Sequence, residues 1–267
     1  MIRTLTHDDF ESLFAAFTAA FSDYVVKLSP SREQLLEMFT RRGWGPELSV
    51  GAFEGDTMVA FTVNGIDGDR AYDSGTGVIP SHRRHGLARQ LMERSFELLR
   101  PREYVLEVLD NNTRAHALYV ELGFEVVRGL QCWGYEASRL RGSEAQRFST
   151  LSLDALTPRS LDVLPSWQNT ATSIARARSP HVILGDEDAY AVLFPENGDL
   201  AQLAVRPETR RRGIGRALLE EAARVAGKPL RIMNVDERDA GIAAFLERVG
   251  AKRTVRQLEM VRTTVSS

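Results

Sequence analysis

The residues of this chain with the clearest chemical use lie in a short glycine-containing stretch that occurs twice. Residues 78–89 contain Arg83, Gly86 and Ala88, and residues 205–216 repeat the pattern 127 positions later (205 minus 78). When such a loop ends a strand and opens a helix, its backbone N–H groups converge on one point, with the positive end of the helix dipole behind them. Small residues at alternate positions keep side chains away from those N–H groups. The expected ligand is therefore an anion, and phosphate in particular.

The first phosphate-binding loop is assigned the residues Val78, Arg83, Arg84, His85, Gly86, Leu87, Ala88 and Arg89. A possible second one has Val205, Arg210, Arg211, Arg212, Gly213, Ile214, Gly215 and Arg216. Other phosphate motifs fit less well, because a dinucleotide fingerprint needs a third glycine where Leu218 stands and a P-loop needs Gly-Lys-Ser/Thr, which neither copy has. A glycine-rich helix start with solvated arginines is the alternative for either copy taken alone.

The elements that must position these loops follow from the spacing of apolar residues. In the first copy we expect strands at 2–5, 48–53, 57–65, 70–78, 104–109, 124–127 and 131–136, and helices over 10–21, 31–39, 87–98 and 112–122. In the second copy we expect strands at 182–184, 189–194, 200–205, 230–235 and 253–262, and helices over 166–178, 213–226 and 238–249. Each copy thus predicts an α/β (α+β) fold: a mixed, mostly antiparallel sheet flanked by helices.

A repeat at a constant offset predicts a tandem duplication of one fold. With 267 residues the chain is long enough for two hydrophobic cores. The predicted domains are 1–140 and 148–267. Residues 141–147 are the predicted linker, because serine, arginine, glycine and glutamate replace the apolar periodicity there.

The composition favours a globular protein that acts on small molecules. With 43% hydrophobic residues, 26% charged residues and a net charge of −2, neither nucleic acid nor membrane is an expected partner. Cys132 is the single cysteine, so we expect no internal disulfide and a small buried thiol. The acidic N-terminal residues and the absence of a long apolar run favour the cytoplasm. No metal spacing occurs among the histidines, and the chain is expected to be a monomer or a homodimer.

Beyond the loops, the whole chain resembles the GNAT superfamily of acetyltransferases as a tandem pair. The run Leu106-Glu107-Val108, followed by Asn112, Tyr119 and Leu122-Gly123-Phe124, looks much like the last two motifs of that family. It is most similar to the branch that acetylates protein N-terminal amines, which has the same spacing from its Glu to its Asn and its Tyr. The resemblance implies acetyl-CoA as cosubstrate, with its pyrophosphate on the loop and with Asn112 among the cofactor-binding residues.

The resemblance also implies roles for two ionisable residues of the first copy. Transfer of an acetyl group to an amine requires the ammonium to lose a proton and the departing thiolate to gain one. Glu107 is the expected base and Tyr119 the expected acid, while the backbone N–H near Val78 would bind the thioester oxygen. The structural alternatives are an exposed strand carboxylate for Glu107, a helix cap for Asn112 and a core side chain for Tyr119.

The second copy lacks these residues. At an offset of 127, Asn234 replaces Glu107, Asp239 replaces Asn112 and Leu246 replaces Tyr119. An asparagine cannot take a proton from an ammonium, and a leucine has none to give. We therefore expect the first domain to be catalytic and the second to be degenerate.

The acceptor is the least determined part of the prediction. The family resemblance implies an acceptor side built from residues 17–24, Trp44, Gln131 and Trp133, with Trp167, Gln168 and Asn169 as further candidates from the second domain. Aromatic residues in such positions are often packing rather than recognition. The predicted function is N-acetylation of a primary amine on a small molecule, an antibiotic included, or on a protein N-terminus. The alternative is a non-catalytic regulatory protein that binds acyl-CoA.

Overall fold

A computed structural model describes residues 1–23, 29–137, 148–155 and 161–264 of the protein. The chain divides into two compact units. Unit 1 contains Met1–Val127, Arg176–Arg178 and the last segment of the chain from Glu259, and unit 2 contains Arg128–Ala175 and Ser179–Leu258. The predicted linker at 141–147 lies outside the described residues.

Unit 1 is built on a sheet whose first four strands are antiparallel neighbours. The fifth strand is parallel to the fourth, and the end of the last strand of the chain follows it. The elements are β1 (Ile2–Thr4), α1 (Phe10–Ala20), α2 (Arg32–Arg41), β2 (Val50–Glu54), β3 (Thr57–Asp67), β4 (Arg70–Val78), α3 (Leu87–Leu99), β5 (Glu103–Leu109) and α4 (Thr113–Glu121).

Unit 2 has a similar arrangement, with fewer elements before the strand that leads to its loop. Its sheet has the order β6-β11-β10-β9-β8-β7. The elements are β6 (Glu125–Tyr135), β7 (Ser149–Thr150), α5 (Ala171–Arg176), β8 (Val182–Gly185), β9 (Ala189–Phe194), β10 (Asp199–Val205), α6 (Ile214–Ala226), β11 (Leu230–Asp236), α7 (Ala240–Arg248) and β12 (Lys252–Thr263). The mixed, mostly antiparallel α/β fold predicted from the sequence is confirmed.

The strands predicted at 124–127 and 131–136 are wrong in one respect, because they form the single strand β6. Gly129 lies between the two predicted strands. A side chain at Gly129 would collide with the carboxylate of Glu237, and the Glu237 N–H donates to the Gly129 carbonyl at 3.0 Å. The glycine therefore permits the close approach of the Glu237 carboxylate.

Beyond Val127, β6 belongs to unit 2. It pairs antiparallel with β11 from Leu230↔Tyr135 to Asp236↔Leu130. Trp133 and Tyr135 lie in the core of unit 2. In unit 1, the end of β12 lies beside β5, where the Thr264 N–H donates to the Arg102 carbonyl at 2.9 Å. The predicted ranges 1–140 and 148–267 follow the sequence repeat, whereas the compact units take their last strands from the other repeat.

Helices cover both faces of the unit 1 sheet. Leu13 and Phe17 of α1 and Phe39 of α2 are buried against one face with Phe61 of β3. Leu91 of α3 is buried against the other face. Among the described residues, no helix is long and apolar enough to cross a membrane.

In both units a β-bulge interrupts the strand that leads to the loop. In β4 the pairing with β3 passes from Asp73 to Gly75 and leaves out Ser74. In β10 the pairing with β9 passes from Leu200 to Gln202, leaving out the equivalent residue, 127 positions later. A bulge bends the strand and re-aims the side chains that follow it, so both copies bend at the same point before the loop.

Candidate functional site

The two glycine-containing loops share one backbone conformation. Arg84 and Gly86 have φ values of +70° and +76°, and Arg211 and Gly213 have values of +66° and +87°. Left-handed residues at alternate positions turn neighbouring N–H groups toward one side, which is the geometry of an anion-binding nest. Both loops therefore have the backbone that the sequence predicted for phosphate.

Each loop leads directly into a helix, which adds N–H groups to the nest. In α3 the bond from Gln90 N to Gly86 O is 3.1 Å long, and the N–H groups of residues 87–89 precede the first acceptor that the helix can offer. In α6 the matching bond, from Ala217 N to Gly213 O, is 3.0 Å. A Cβ at Gly213 would meet nothing within 4 Å, so the space beside this residue is open.

Arg83 braces the first loop through its side chain. Its Nε donates to the Val78 carbonyl at 3.1 Å, one terminal nitrogen donates to the Ala20 carbonyl, and two nitrogens contact the Asp23 carboxylate at 2.6 and 2.8 Å. The hydrogen bond from Arg83 lowers the pKa of Asp23. The guanidinium that the sequence assigned to the cofactor is thus engaged within the protein, and it holds the loop against the strand end.

Arg210 has the same arrangement in the second copy. Its Nε donates to the Val205 carbonyl at 2.8 Å, and its terminal nitrogens contact Asp162 at 2.8 and 3.0 Å. Both copies thus brace the loop in the same way, although the partner carboxylates occupy different places in the sequence. A bidentate carboxylate fixes a guanidinium in both position and plane.

The remaining loop residues divide into exposed cations and partly buried packing residues. Arg84, His85, Arg211, Arg212 and Arg216 are exposed, and Arg89 contacts Glu121. Leu87, Ala88, Ile214 and Gly215 are partly buried. Of the exposed arginines, Arg84 and Arg211 occupy equivalent positions at the nest itself.

Glu107 lies where β4 and β5 separate. The last pair of that parallel ladder is Asp73↔Leu106, and Glu107 is the next residue of β5. Its side chain is half-buried, with Oε1 out of contact with solvent. Burial and then the Glu107 carboxylate raise the pKa of Tyr72 well above its ordinary value, and Glu259 of the last strand acts in the same direction. The sequence prediction missed Glu259 because it comes from the second repeat.

Tyr119 is buried on α4, and its ring lies 5.7 Å from that of Phe124. Its hydroxyl donates to the carboxyl group of Asp73, which is 7% exposed. Asp73 Oδ1 accepts the Gly75 N–H at 2.9 Å and Oδ2 accepts the Thr76 hydroxyl at 2.8 Å. Burial raises the pKa of Asp73 to about 6, and these hydrogen bonds limit the increase.

Asp73 and Thr76 are site residues that the sequence prediction missed. At the offset of 127, the counterparts of Asp73, Thr76 and Tyr119 are Leu200, Leu203 and Leu246. These three leucines line one cavity of about 90 Å³ in unit 2. A polar network in the first copy is therefore apolar in the second, and comparing every polar residue of β4 with its counterpart would have found it.

Asn234, the counterpart of Glu107, lies on the same cavity. Its φ is +61° and its side chain is buried. Asn234 Oδ1 accepts a hydrogen bond from Gln257 Nε2 at 2.7 Å and lies 3.5 Å from Cys132 Sγ. Cys132 is a buried thiol, as predicted. The cleft of unit 2 thus contains an amide where unit 1 has a carboxylate.

Asn112 caps helix α4. Its Oδ1 accepts the Ala115 N–H at 3.2 Å, and Asp239 makes the matching bond to Ile242 N at 3.0 Å in the second copy. This bond satisfies one of the free N–H groups at the helix start. The side-chain oxygen of Asn112 therefore has a structural use beside the cofactor role predicted from the sequence.

Most residues expected on the acceptor side are packing residues. Phe17 is 3% exposed, and its ring stacks on Phe61 at 5.9 Å. Trp44 is partly buried, 5.9 Å from the Phe39 ring. Tyr24 lies outside the described residues. The other candidates, Gln131, Trp133, Trp167, Gln168 and Asn169, belong to unit 2.

The histidines beside the first loop make local contacts. His82 Nε2 lies 3.0 Å from Glu54, and the His85 ring approaches the His82 carbonyl. Within 1–23, 29–137, 148–155 and 161–264, no group of three or more His, Cys, Asp or Glu residues could hold a metal ion.

Two family models match the chain, one in each repeat. The model described as the acetyltransferase (GNAT) family matches residues 10–124, and the model described as an acetyltransferase (GNAT) domain matches residues 177–250.

Two solved structures are similar over nearly the whole chain. The GCN5-related N-acetyltransferase from Sphaerobacter thermophilus has a TM-score of 0.74 at 15% identity, with 98% of this chain and 95% of that chain covered. The tandem GNAT protein from the clavulanic acid biosynthesis pathway has a TM-score of 0.69 at 17% identity, with 100% of both chains covered. At these identities the likeness is one of fold.

A curated relative matches part of the chain more closely in sequence. The mycothiol acetyltransferase of Nocardia farcinica (strain IFM 10152) is 32% identical over 112 residues, which are 39% of this chain and 36% of that protein. The chain thus matches little more than a third of the length of this relative.

Proposed function

The chain belongs to the GNAT family of acetyltransferases, and we propose that its unit 1 is an acetyl-CoA-dependent N-acetyltransferase that acts on a primary amine. The observation that carries the proposal is the cleft where β4 and β5 separate. Glu107 follows the last paired residue of β5, and the anion nest begins six residues after Val78, at the end of β4. The residues for acetyl transfer and those for cofactor binding would thus both lie near the end of β4.

The nest at residues 84–88 would bind the pyrophosphate of acetyl-CoA. Its left-handed residues and the start of α3 supply N–H donors, and Arg84 and His85 are exposed beside them. When bound, acetyl-CoA supplies an acetyl group on a thioester, whose sulfur leaves in the reaction.

Glu107 would take the proton of the acceptor ammonium. A strand residue beyond the end of a ladder is open to a bound molecule on the side of the missing neighbour. Glu107 holds that position, half-buried, with Oε1 shielded from solvent. A general base must lie within hydrogen-bond reach of the amine or of one intervening water.

Tyr119 would give its proton to the departing sulfur. Its phenol is buried on α4, and its oxygen is fixed by the contact with Asp73 at the same strand end. A phenol with a pKa of about 10 can protonate a thiolate only when it is held in place and competing water is excluded.

The backbone of Val78 would bind the thioester oxygen. The Ile79 N–H donates to the Val59 carbonyl of β3 at 3.0 Å, so by strand alternation the Val78 N–H points to the other side. That side is where β5 has separated from β4. A fixed N–H donor at this point would stabilise the negative charge that develops on oxygen.

A different role is favoured for unit 2: it would bind acyl-CoA without transferring the acyl group. Its loop keeps the nest, with Arg211 and Gly213 at positive φ. Its cleft has Asn234 and Leu246 in place of the proposed base and acid. The non-catalytic, acyl-CoA-binding role that the sequence left open for the whole chain is thus proposed for unit 2 alone.

The experiment is to measure thiol release from acetyl-CoA with a panel of primary amines, in which amines related to mycothiol come first because of the Nocardia farcinica relative. Glu107→Gln and Tyr119→Phe should each lower kcat by about 100-fold or more. Glu103→Gln is the matched control, because Glu103 is also in β5 but contacts Arg70 at the surface. Full activity in both test variants would contradict the proposed machinery. Acetyl-CoA binding without turnover of any amine would favour the regulatory alternative for the whole chain.

A further inference from the structure

The hydroxyl of Tyr119 forms a hydrogen bond with the carboxyl group of Asp73, which lies in the bulged strand β4. Asp73 holds the Tyr119 hydroxyl, the Thr76 hydroxyl and the Gly75 N–H at the same time. The carboxyl group is buried, with 7% of the residue exposed. Three donors on one buried carboxyl group fix its position and, through it, the position of the phenol.

The bulge explains how two residues of one strand reach the same point. In a regular strand, residues 73 and 76 would point to opposite faces, because side chains alternate. The extra residue Ser74 interrupts this alternation, so residues 73 and 76 point to the same face. Thr76 Oγ1 therefore comes within 2.8 Å of Asp73 Oδ2, and the network sits where the β4–β5 ladder ends.

The second copy keeps the bulge but loses the network as a set. Its bulge lies at the equivalent residue of β10, and all three side chains of the network are replaced by leucines that line one cavity. The bulge alone therefore does not require these polar residues. The copy that has Glu107 has all three polar residues, and the copy that has Asn234 has none of them.

We infer that Asp73 is a positioning residue that acts through Tyr119 by holding the hydroxyl oxygen of Tyr119 in place. This inference rests on the proposed function of Tyr119. In the step, the O–H bond of Tyr119 breaks as an S–H bond forms at the departing sulfur, and the Tyr119 oxygen takes its next proton from solvent. Asp73 exchanges no proton in this step.

Several charged and titratable groups face Asp73. Arg42, which follows α2, favours its ionised form, as does the hydrogen bond from Tyr119 of α4. Tyr72 of β4 and Tyr104 of β5 are buried neighbours whose own pKa values are raised, mainly by burial, with Asp73 contributing. The titration midpoint of Asp73 therefore depends on all of these groups.

The first test needs no cosubstrate. Carbon-13 NMR of protein labelled at the aspartate carboxyl carbons should show one resonance that is absent from Asp73→Asn. In Tyr119→Phe its titration midpoint should move to higher pH, by about half a unit or more, because the lost hydrogen bond favours the carboxylate. Thr76→Val should move it in the same direction. A midpoint that is the same in wild type and Tyr119→Phe would overturn the inference.

The second test is a double-mutant cycle on thiol release from acetyl-CoA, with an amine that the wild type acetylates. Asp73→Asn should lower kcat about tenfold or more and leave the KM for acetyl-CoA within about twofold. Tyr119→Phe combined with Asp73→Asn should be no slower than Tyr119→Phe alone, since Asp73 acts through the phenol. Losses that multiply would overturn the inference.

Two comparisons separate the possible failures. If Tyr119→Phe keeps full kcat, the proposed acid fails, whereas the NMR shift still reports the Asp73 contact. If Tyr119→Phe is slow and Asp73→Asn is not, the inference fails and the proposed acid stands. Ser74→Ala is the matched control, because this buried hydroxyl adjoins Asp73 and has no hydrogen-bond partner among the described residues. It should leave both the titration and kcat unchanged.

Discussion

Arg83 donates from Nε to the main-chain oxygen of Val78 at 3.1 Å, so the first residue of the loop is fastened to the end of β4. Because Val78 borders the proposed acyl site and Arg83 leads into the anion nest, this bond sets the separation between the two. The same fastening occurs in the second copy. It therefore belongs to the construction of the loop rather than to the chemistry of one unit.

We expect Arg83→Lys to weaken acetyl-CoA binding about tenfold, measured by isothermal titration. A lysine cannot contact Val78, Ala20 and Asp23 together, since it lacks the planar fork of arginine. Asp23→Asn should give a smaller loss in the same direction. Arg94→Lys, on the exposed side of α3, is the control and should bind normally. If Asp23→Asn binds normally while Arg83→Lys does not, the guanidinium itself contacts the ligand.

The two loops can be tested separately with a matched pair of charge reversals. Arg84→Glu should weaken acetyl-CoA binding to unit 1 by tenfold or more and raise the KM, because it places a carboxylate beside the nest. Arg84 and Arg211 both have positive φ values, so glutamate meets the same backbone constraint at each. Arg211→Glu should leave kcat and KM unchanged. The reverse pattern would place the working site in unit 2.

The local parts of this fold could be predicted from the sequence, whereas the pairing of the last strands could not. Gly86 and Gly213 mark the loops because their left-handed conformations disfavour other residues. The alternation of apolar residues in β6 and β12 is equally compatible with either unit. Which sheet each strand joins depends on long-range contacts, such as Glu237 filling the space at Gly129, that no local pattern encodes.

The candidate site divides in the same way. The spacing after Glu107 predicted the proposed base, the helix cap and the proposed acid. Asp73 was missed because a lone aspartate in a strand has no motif, and its importance depends on the bulge at Ser74. Glu259 was missed because its place near Tyr72 depends on the end of β12 belonging to unit 1.

Asn112 allows a structural role to be separated from a binding role. Asn112→Ala and Asp239→Ala each remove one cap bond, so each should lower the free energy of unfolding by about 1 kcal/mol in urea denaturation. If Asn112 also contacts the cofactor, its variant alone should raise the KM for acetyl-CoA. Equal KM values in the two variants would restrict Asn112 to capping.

The stability of unit 1 should depend on pH through Asp73. Burial raises the pKa of this carboxyl from 3.8 to about 6 in the folded protein. A raised pKa means that the folded state binds the proton more tightly than the unfolded state. Its stabilising contribution is therefore fully present below about pH 4 and is lost as the pH rises through 6.

Wild type should accordingly lose about 2 kcal/mol of stability relative to Asp73→Asn between pH 4 and pH 7, since each pKa unit corresponds to about 1.4 kcal/mol. Urea unfolding of both proteins at several pH values measures this difference. The pKa values of Asp9 and Asp236 are lowered to about 2. Both residues are present in wild type and in the variant, so their contributions cancel in the difference between the two proteins. A stability difference that stays constant with pH would show that folding leaves the pKa of Asp73 unchanged, and one that grows in favour of wild type toward pH 7 would show that folding lowers it.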